Sequence, residues 1–267
     1  MVKAVPLPVR MLAWAFVTLT VLVLLAPLAV VVAVSFSASQ FIVFPPAGLG
    51  LQRYEQVLTS GTYVAATLTS LKIALAATAA ATLVGGAAAV ALHRRLLPGS
   101  LWLEGAFLSP LVLPTIIFAI GMLMLWSQLF GAVTPVALWL GHTLVCIPYV
   151  LRTTLASLAD SDPNLEAAAR TMGAGRLQRL AFVVLPQCAP GLGAGAFFAF
   201  NISFDEAVLS LFLRQPDLVT LPVQIYGQLE YSPDPSVAAV SSILIALTVV
   251  LIFVIDRLLG LQRFAKS

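Results

Sequence analysis

Residues 160–191 read DSDPNLEAAARTMGAGRLQRLAFVVLPQCAPG, and the placement of this stretch decides how the chain is organised. It gathers Asp160, Asp162, Glu166, Arg170, Arg176 and Arg179 in a protein of 267 residues where only 9% are charged and 60% are hydrophobic. On either side lie apolar runs long enough to cross ~30 Å of hydrocarbon at ~1.5 Å per helical residue. These runs fall at about residues 11–35, 63–92, 101–129, 136–158, 180–213 and 237–259, bounded by Pro, Gly and charged residues. With a mean hydropathy of +1.03, the pattern is that of an all-α membrane protein, a single transmembrane domain over residues 1–267. Residues 160–179 then form a polar connection between the fourth and fifth of six transmembrane helices.

The first run follows Lys3 and Arg10 as a secretion signal would, but it exceeds the usual ~7–15-residue apolar core of one, so a retained first helix is expected. An even number of spans places both termini on one side. Lys3, Arg10, Arg94, Arg95, Arg152, Arg170, Arg176, Arg179, Arg257, Arg263 and Lys266 share that side, against Arg53 and Arg214 opposite. The positive-inside rule therefore puts the termini and residues 160–179 in the cytoplasm.

Several function classes find no support. Basic residues are dispersed over short loops, with no stripe to follow a nucleic acid. Cys146 and Cys188 fall in or beside spans and read as small buried hydrophobes; His93 and His142 stand alone without ligand spacing, so no metal is expected. No G-x-x-x-x-G-K-[ST] run holds a nucleotide, and no nucleophile motif marks an enzyme.

Within the polar stretch, Asp162 suits an N-cap, Pro163 the first helical position and Gly173 the residue after the C-cap, predicting a helix from Pro163 to Met172. Leu165, Ala168, Ala169 and Met172 make one narrow apolar stripe, and Glu166 stands four residues before Arg170 in the favourable order. A helix of about ten residues is unstable alone and must pack on something. That is its own bundle, with Glu166–Arg170 a solvated pair, or a groove on another protein, with Glu166 meeting a cation there.

Elsewhere, Pro110 and Pro114 in the third run, Pro148 in the fourth, and Pro186 and Pro190 in the fifth predict kinks or helix starts. The small residues from Ala74 to Ala91 let neighbouring helices approach closely. Asp205 and Glu206 lie in the apolar fifth run, where ionisable groups cost at least ~2.5–3.5 kcal/mol unless they face a partner or water. Either they line a path, with Asn201, Ser203 and Phe204 as neighbours, or the helix ends early and they are solvated at the outer surface. Lys72, about ten residues into the second run, is a potential partner for one of them, or a sign of an anionic or zwitterionic solute.

Glu166-Ala167-Ala168, Gly173 seven residues after the Glu, and Leu185-Pro186 twelve after that glycine together resemble the EAA signature of permease subunits of bacterial type I ABC importers. Ser109-Pro110, Ile147-Pro148, the run from Ile202 to Glu206, Thr220-Leu221-Pro222-Val223 and Ile225-Tyr226 look like the second permease subunit of spermidine/putrescine importers. The resemblance implies the MetI-like permease fold with a cytoplasmic coupling helix between helices 4 and 5. Glu166, Ala167, Ala168 and Gly173 would be its coupling residues, with Arg170 on the same helix. It also implies a second, homologous permease forming a heterodimer, two ATPase subunits that hold ATP and Mg, an extracytoplasmic binding protein, and a location in the bacterial cytoplasmic membrane. This chain would bind no cofactor. The implied cargo is a small amine-containing solute such as putrescine or spermidine; the subfamily also serves aminobutyrate-like and aminophosphonate compounds. A stand-alone secondary carrier is the competing class, and it predicts inverted repeats that are not evident here.

Overall fold

The computed structural model describes residues 6–96 and 98–259; Lys3, Arg263 and Lys266, counted above for topology, lie outside the described residues. In chain order the helices are α1 (Leu7–Ser35), α2 (Gln52–Thr59), α3 (Gly61–His93), α4 (Ser100–Val112), α5 (Thr115–Phe130) and α6 (Pro135–Ala159). They continue with α7 (Pro163–Thr171), α8 (Arg176–Arg179), a π-helical turn (Leu180–Val184), α9 (Leu185–Asp205), α10 (Ala207–Phe212), α11 (Leu221–Tyr231) and α12 (Ser236–Leu259). Among the described residues, four helical stretches are long and apolar enough to cross a membrane: α1, α3, α6 and the continuous Arg176–Asp205. The pair α4 and α5 makes a fifth when its two halves are taken as one span, and α12 carries the shorter apolar stretch Ser236–Val250.

Two of the expected runs are broken. Residues 101–129 do not form one helix, because α4 and α5 bend by 105° at Leu113-Pro114. The cause is local: proline has no N–H and drives the residue before it out of the helical region, and Leu113 is extended at φ −77°, ψ 134°. Residues 180–213 are likewise interrupted. Pro186 cannot donate to the preceding turn, and the ladder there widens so that Leu185 N–H bonds to Leu180 C=O. The same run ends its main helix at Asp205 and restarts at Ala207.

The chain groups into two compact units, Met1–Val64 with Ile225–Ser267, and Ala65–Gln224. In the first, α1 packs along α12, yet every side chain of α1 from Leu7 to Val30 is exposed, as suits a helix that faces lipid. Polar bonds fix its other members. The Tyr54 hydroxyl meets Ser35 Oγ at 2.6 Å and donates to Ser242 Oγ at 3.1 Å. Arg53 donates to the Ser39 carbonyl at 2.7 Å and pairs with Asp234 at 3.5 Å.

In the second unit α6 is the central post. Leu138, Val150, Leu151, Thr154 and Cys146 on it are fully buried, and α9 lies along it. The close approach depends on glycine: a Cβ on Gly191 would come within 2.5 Å of the Thr153 carbonyl oxygen, and one on Gly195 within 2.7 Å of Val150 Cα. On α3 the small-residue face also packs on α6, with Ala81 among Cys146, Ile147 and Val150, and Gly85 against the Ile147 carbonyl. Such contacts bring backbones close enough for dispersion to hold apolar helices together in a solvent as apolar as themselves.

Candidate coupling helix and translocation-path residues

All the residues singled out from the sequence for coupling or for a path lie in the unit Ala65–Gln224. Helix α7 forms for the local reasons its sequence gives. The Asp162 side chain accepts the Asn164 N–H at 2.9 Å, and Pro163 occupies the first turn. At the other end Met172 is the C-cap and Gly173 adopts φ +85°. Gly173 N–H reaches the Arg170 carbonyl and Ala174 N–H the Ala169 carbonyl, both at 3.0 Å, the paired bonds of a Schellman turn.

The expected Glu166–Arg170 pair does not form, and Glu166 does not stand free to meet a cation on another protein. Its carboxylate accepts from Arg94 Nη2 at 2.6 Å and from Arg179 Nε at 3.4 Å, while Arg170 is exposed. The two guanidiniums come from elements distant in sequence. Arg94 follows α3, whose end closes with Arg95 N–H on the Leu92 carbonyl and Leu96 N–H on that of Ala91, with Arg95 at φ +49°. Arg179 ends α8 and also donates to the Ala174 carbonyl at 2.9 Å, clasping the Schellman turn. Glu166 therefore joins the ends of α3, α7 and α8. Of the apolar stripe only Ala169 is buried; Leu165, Ala168 and Met172 are exposed, together with Ala167.

Around the fifth run, Asp205 is the last residue of α9 and is exposed. Glu206 turns extended, φ −71° and ψ 98°, and its Oε1 accepts the Leu209 N–H at 3.0 Å, so it caps α10. The adjacent carboxylates thus part company: one ends a helix and the other starts the next. Asn201 Nδ2 is turned back to the Phe197 carbonyl at 2.8 Å, and Phe204 stacks on Phe200 with centroids 5.8 Å apart. Ser203 is buried against His142. Lys72 is exposed, and among the described residues no ion pair joins it to Asp205 or Glu206. The prolines lie where backbone bonds are missing: Pro110 inside α4, Pro114 at the break, Pro148 buried in α6, and Pro186 just after the π-helical turn.

Residues 81–263 match the family model described as binding-protein-dependent transport system inner membrane component. The chain belongs to this family. It is a permease subunit of an ABC importer, a membrane protein that is not itself catalytic and that works with a partner permease, an ATPase and a binding protein. It is similar to the spermidine/putrescine transport system permease protein PotC of Escherichia coli (strain K12), 29% identical over 243 residues, which cover 91% of this chain and 92% of that protein. It is also similar to the sulfate transport system permease protein CysT of Salmonella typhimurium, 29% identical over 223 residues, 77% of this chain and 80% of that protein. Among solved structures, a bacterial ABC transporter involved in the import of the acidic polysaccharide alginate matches with a TM-score of 0.69. That match covers 97% of this chain and 98% of the other at 15% identity, and it speaks for the fold.

In the permease, several site residues escaped sequence reasoning. Arg94 and Arg179 count in the sequence only as topology charges, although the arginine doublet Arg94-Arg95 at the end of a span is a signal for an inward-turned partner such as Arg94 proves to be. Ser70, two residues before Lys72, accepts the Leu221 N–H on its Oγ at 2.8 Å, tying the Thr220-Leu221-Pro222-Val223 stretch to α3. His142, without ligand spacing in the sequence, meets two buried serines, Ser203 and Ser210, that have no sequence signature at all.

Proposed function

We propose that this permease subunit carries a small amine-containing solute, with a polyamine such as putrescine or spermidine favoured, from an extracytoplasmic binding protein to the cytoplasm by alternating access. Both termini and residues 160–179 are assigned to the cytoplasm. There α7 docks on an ATPase whose bound ATP and Mg drive the cycle, in a complex with one related permease and two ATPase copies. The observation that carries this reading is the split character of α7: Glu166 anchors it to α3 and α8, while Leu165, Ala167, Ala168 and Met172 stay exposed for a partner. A helix held at one point and bare along another face can pass a push to the bundle, provided the partner binds the two bundle states with different affinity.

The resemblance to PotC favours an amine cargo, and the exposed carboxylate of Asp205 suits a cation. A second reading, a zwitterionic or anionic solute such as an aminobutyrate-like or aminophosphonate compound, draws on Lys72, exposed and without a carboxylate partner among the described residues, and on the likeness to a sulfate permease. Uptake of radiolabelled putrescine and of an aminophosphonate by the reconstituted complex separates the two. With putrescine as cargo, Asp205→Asn lowers uptake and leaves assembly intact; unchanged uptake removes Asp205 from the path.

A further inference from the structure

His142 is buried in α6 with 1% of its surface exposed, at a depth where an apolar residue would be the cheaper choice. Both ring nitrogens are engaged. Nδ1 lies 2.8 Å from Ser203 Oγ and Nε2 lies 3.0 Å from Ser210 Oγ, with the two serines 3% and 1% exposed. A neutral imidazole donates at one nitrogen and accepts at the other, and a hydroxyl does either, so the three groups satisfy one another in both tautomers. Ser203 belongs to α9 and Ser210 to α10, on opposite sides of the break that carries Asp205 and Glu206.

We propose that His142 is a positioning residue, a staple from α6 that fixes the angle and rotation of α10 against α9 and so sets where Asp205 and Glu206 point. Helix α10 is six residues long, too short to hold its own conformation. Leu209 and Leu213 bury it beside Leu138 and Ala119, but apolar contact is non-directional and tolerates rotation about the helix axis. Two hydrogen bonds from one rigid ring do not. Glu206 caps the first turn of α10 through Leu209 N–H, so a rotation of α10 carries that carboxylate with it. The functional part of the proposal rests on the reading of Asp205 and Glu206 as path residues; the staple itself does not.

The test uses the assembled complex in nanodiscs and compares wild type with H142L, H142Q and the triple variant H142L/S203A/S210A. H142L leaves two buried hydroxyls unpaired and is expected to lower assembly as well. The triple variant removes all three polar side chains and leaves only the Ser203 backbone, which keeps the core close to neutral stability. A merely structural network predicts that the triple variant behaves as wild type in every respect. A staple predicts wild-type thermal stability but amide exchange across residues 206–212 faster on the order of tenfold, because the end-to-end register is lost, with H142Q, which keeps one donor and one acceptor, close to wild type. Wild-type exchange in the triple variant overturns the proposal. Putrescine uptake is read in parallel and should fall about tenfold in the triple variant, since misplaced groups forfeit much of their effect. If the wild-type complex takes up no putrescine, the substrate assignment fails by itself, and the exchange comparison still upholds or overturns the staple.

Discussion

Two carboxylates in the permease, Glu166 and Glu206, sit near the starts of short helices and both are satisfied inside their own chain, but by different means. Glu166 collects the side chains of Arg94 and Arg179 from two other elements, whereas Glu206 accepts a backbone N–H three residues further on. The first is a junction and the second is a local cap. The difference teaches that a residue's place in a helix does not fix its reach: one carboxylate holds three segments together, the other shapes six residues. The coupling role proposed for α7 requires displacement to pass between segments, and the ion pairs of Glu166 supply a connection of that kind.

Breaking the junction should have the largest effect. Glu166→Ala takes the carboxylate from two part-buried guanidiniums, leaving Arg179 only its bond to the Ala174 carbonyl, and frees α7 from α3, so uptake is expected to fall on the order of tenfold or more while ATP hydrolysis by the partner continues. Both rates can be followed in proteoliposomes. The double variant R94A/R179A should reproduce the loss, and wild-type transport by either would refute the junction.

The turn that Arg179 clasps offers the next test. Gly173 at φ +85° has no room for a β-branched residue in conformational terms, and Gly173→Val should cost ~1–2 kcal/mol. At the matching position after α3, Arg95 already bears φ +49°, and Arg95→Gly should stabilise by up to ~1 kcal/mol. Thermal unfolding of the detergent-solubilised complex reads both, and opposite signs are expected.

The cap at Glu206 should matter less. Glu206→Ala loses the Leu209 bond at ~1 kcal/mol, and Glu206→Gln, which keeps an acceptor oxygen, loses only part of it. Equal melting temperatures for the two would deny the capping role and strengthen a purely electrostatic one. Smallest of all is Arg170→Ala: an exposed residue outside the described ion pairs should change stability by no more than ~0.5 kcal/mol and uptake by less than twofold. A large loss of uptake with normal stability would instead place Arg170 on the docking face of α7.

Much of α7 is legible in the sequence because its limits are written in adjacent residues. Asp162, Pro163 and Gly173 act on backbone groups two or three positions away, and the structure returns the expected helix to within one residue at its end. The expected partner of Glu166 was wrong for the converse reason. Arg170 was the near cation, but Arg94 stands 72 positions away and Arg179 thirteen, and only the packing of α3 and α8 delivers them. The breaks follow the same division. That at Leu113-Pro114 is a local property of proline, yet its 105° angle is not.

By itself, then, the sequence determined the elements whose causes are short-ranged or additive: apolar runs long enough to span a bilayer, caps, proline breaks, and a residue spacing that resembles that of importer permeases. Tertiary structure alone decided which distant groups meet. Glu166 with Arg94 and Arg179, His142 with Ser203 and Ser210, and Ser70 with the Leu221 N–H are such meetings. A polar group buried among apolar helices must find a partner wherever packing brings one, and that choice is made across the fold, beyond the reach of any window of neighbouring residues.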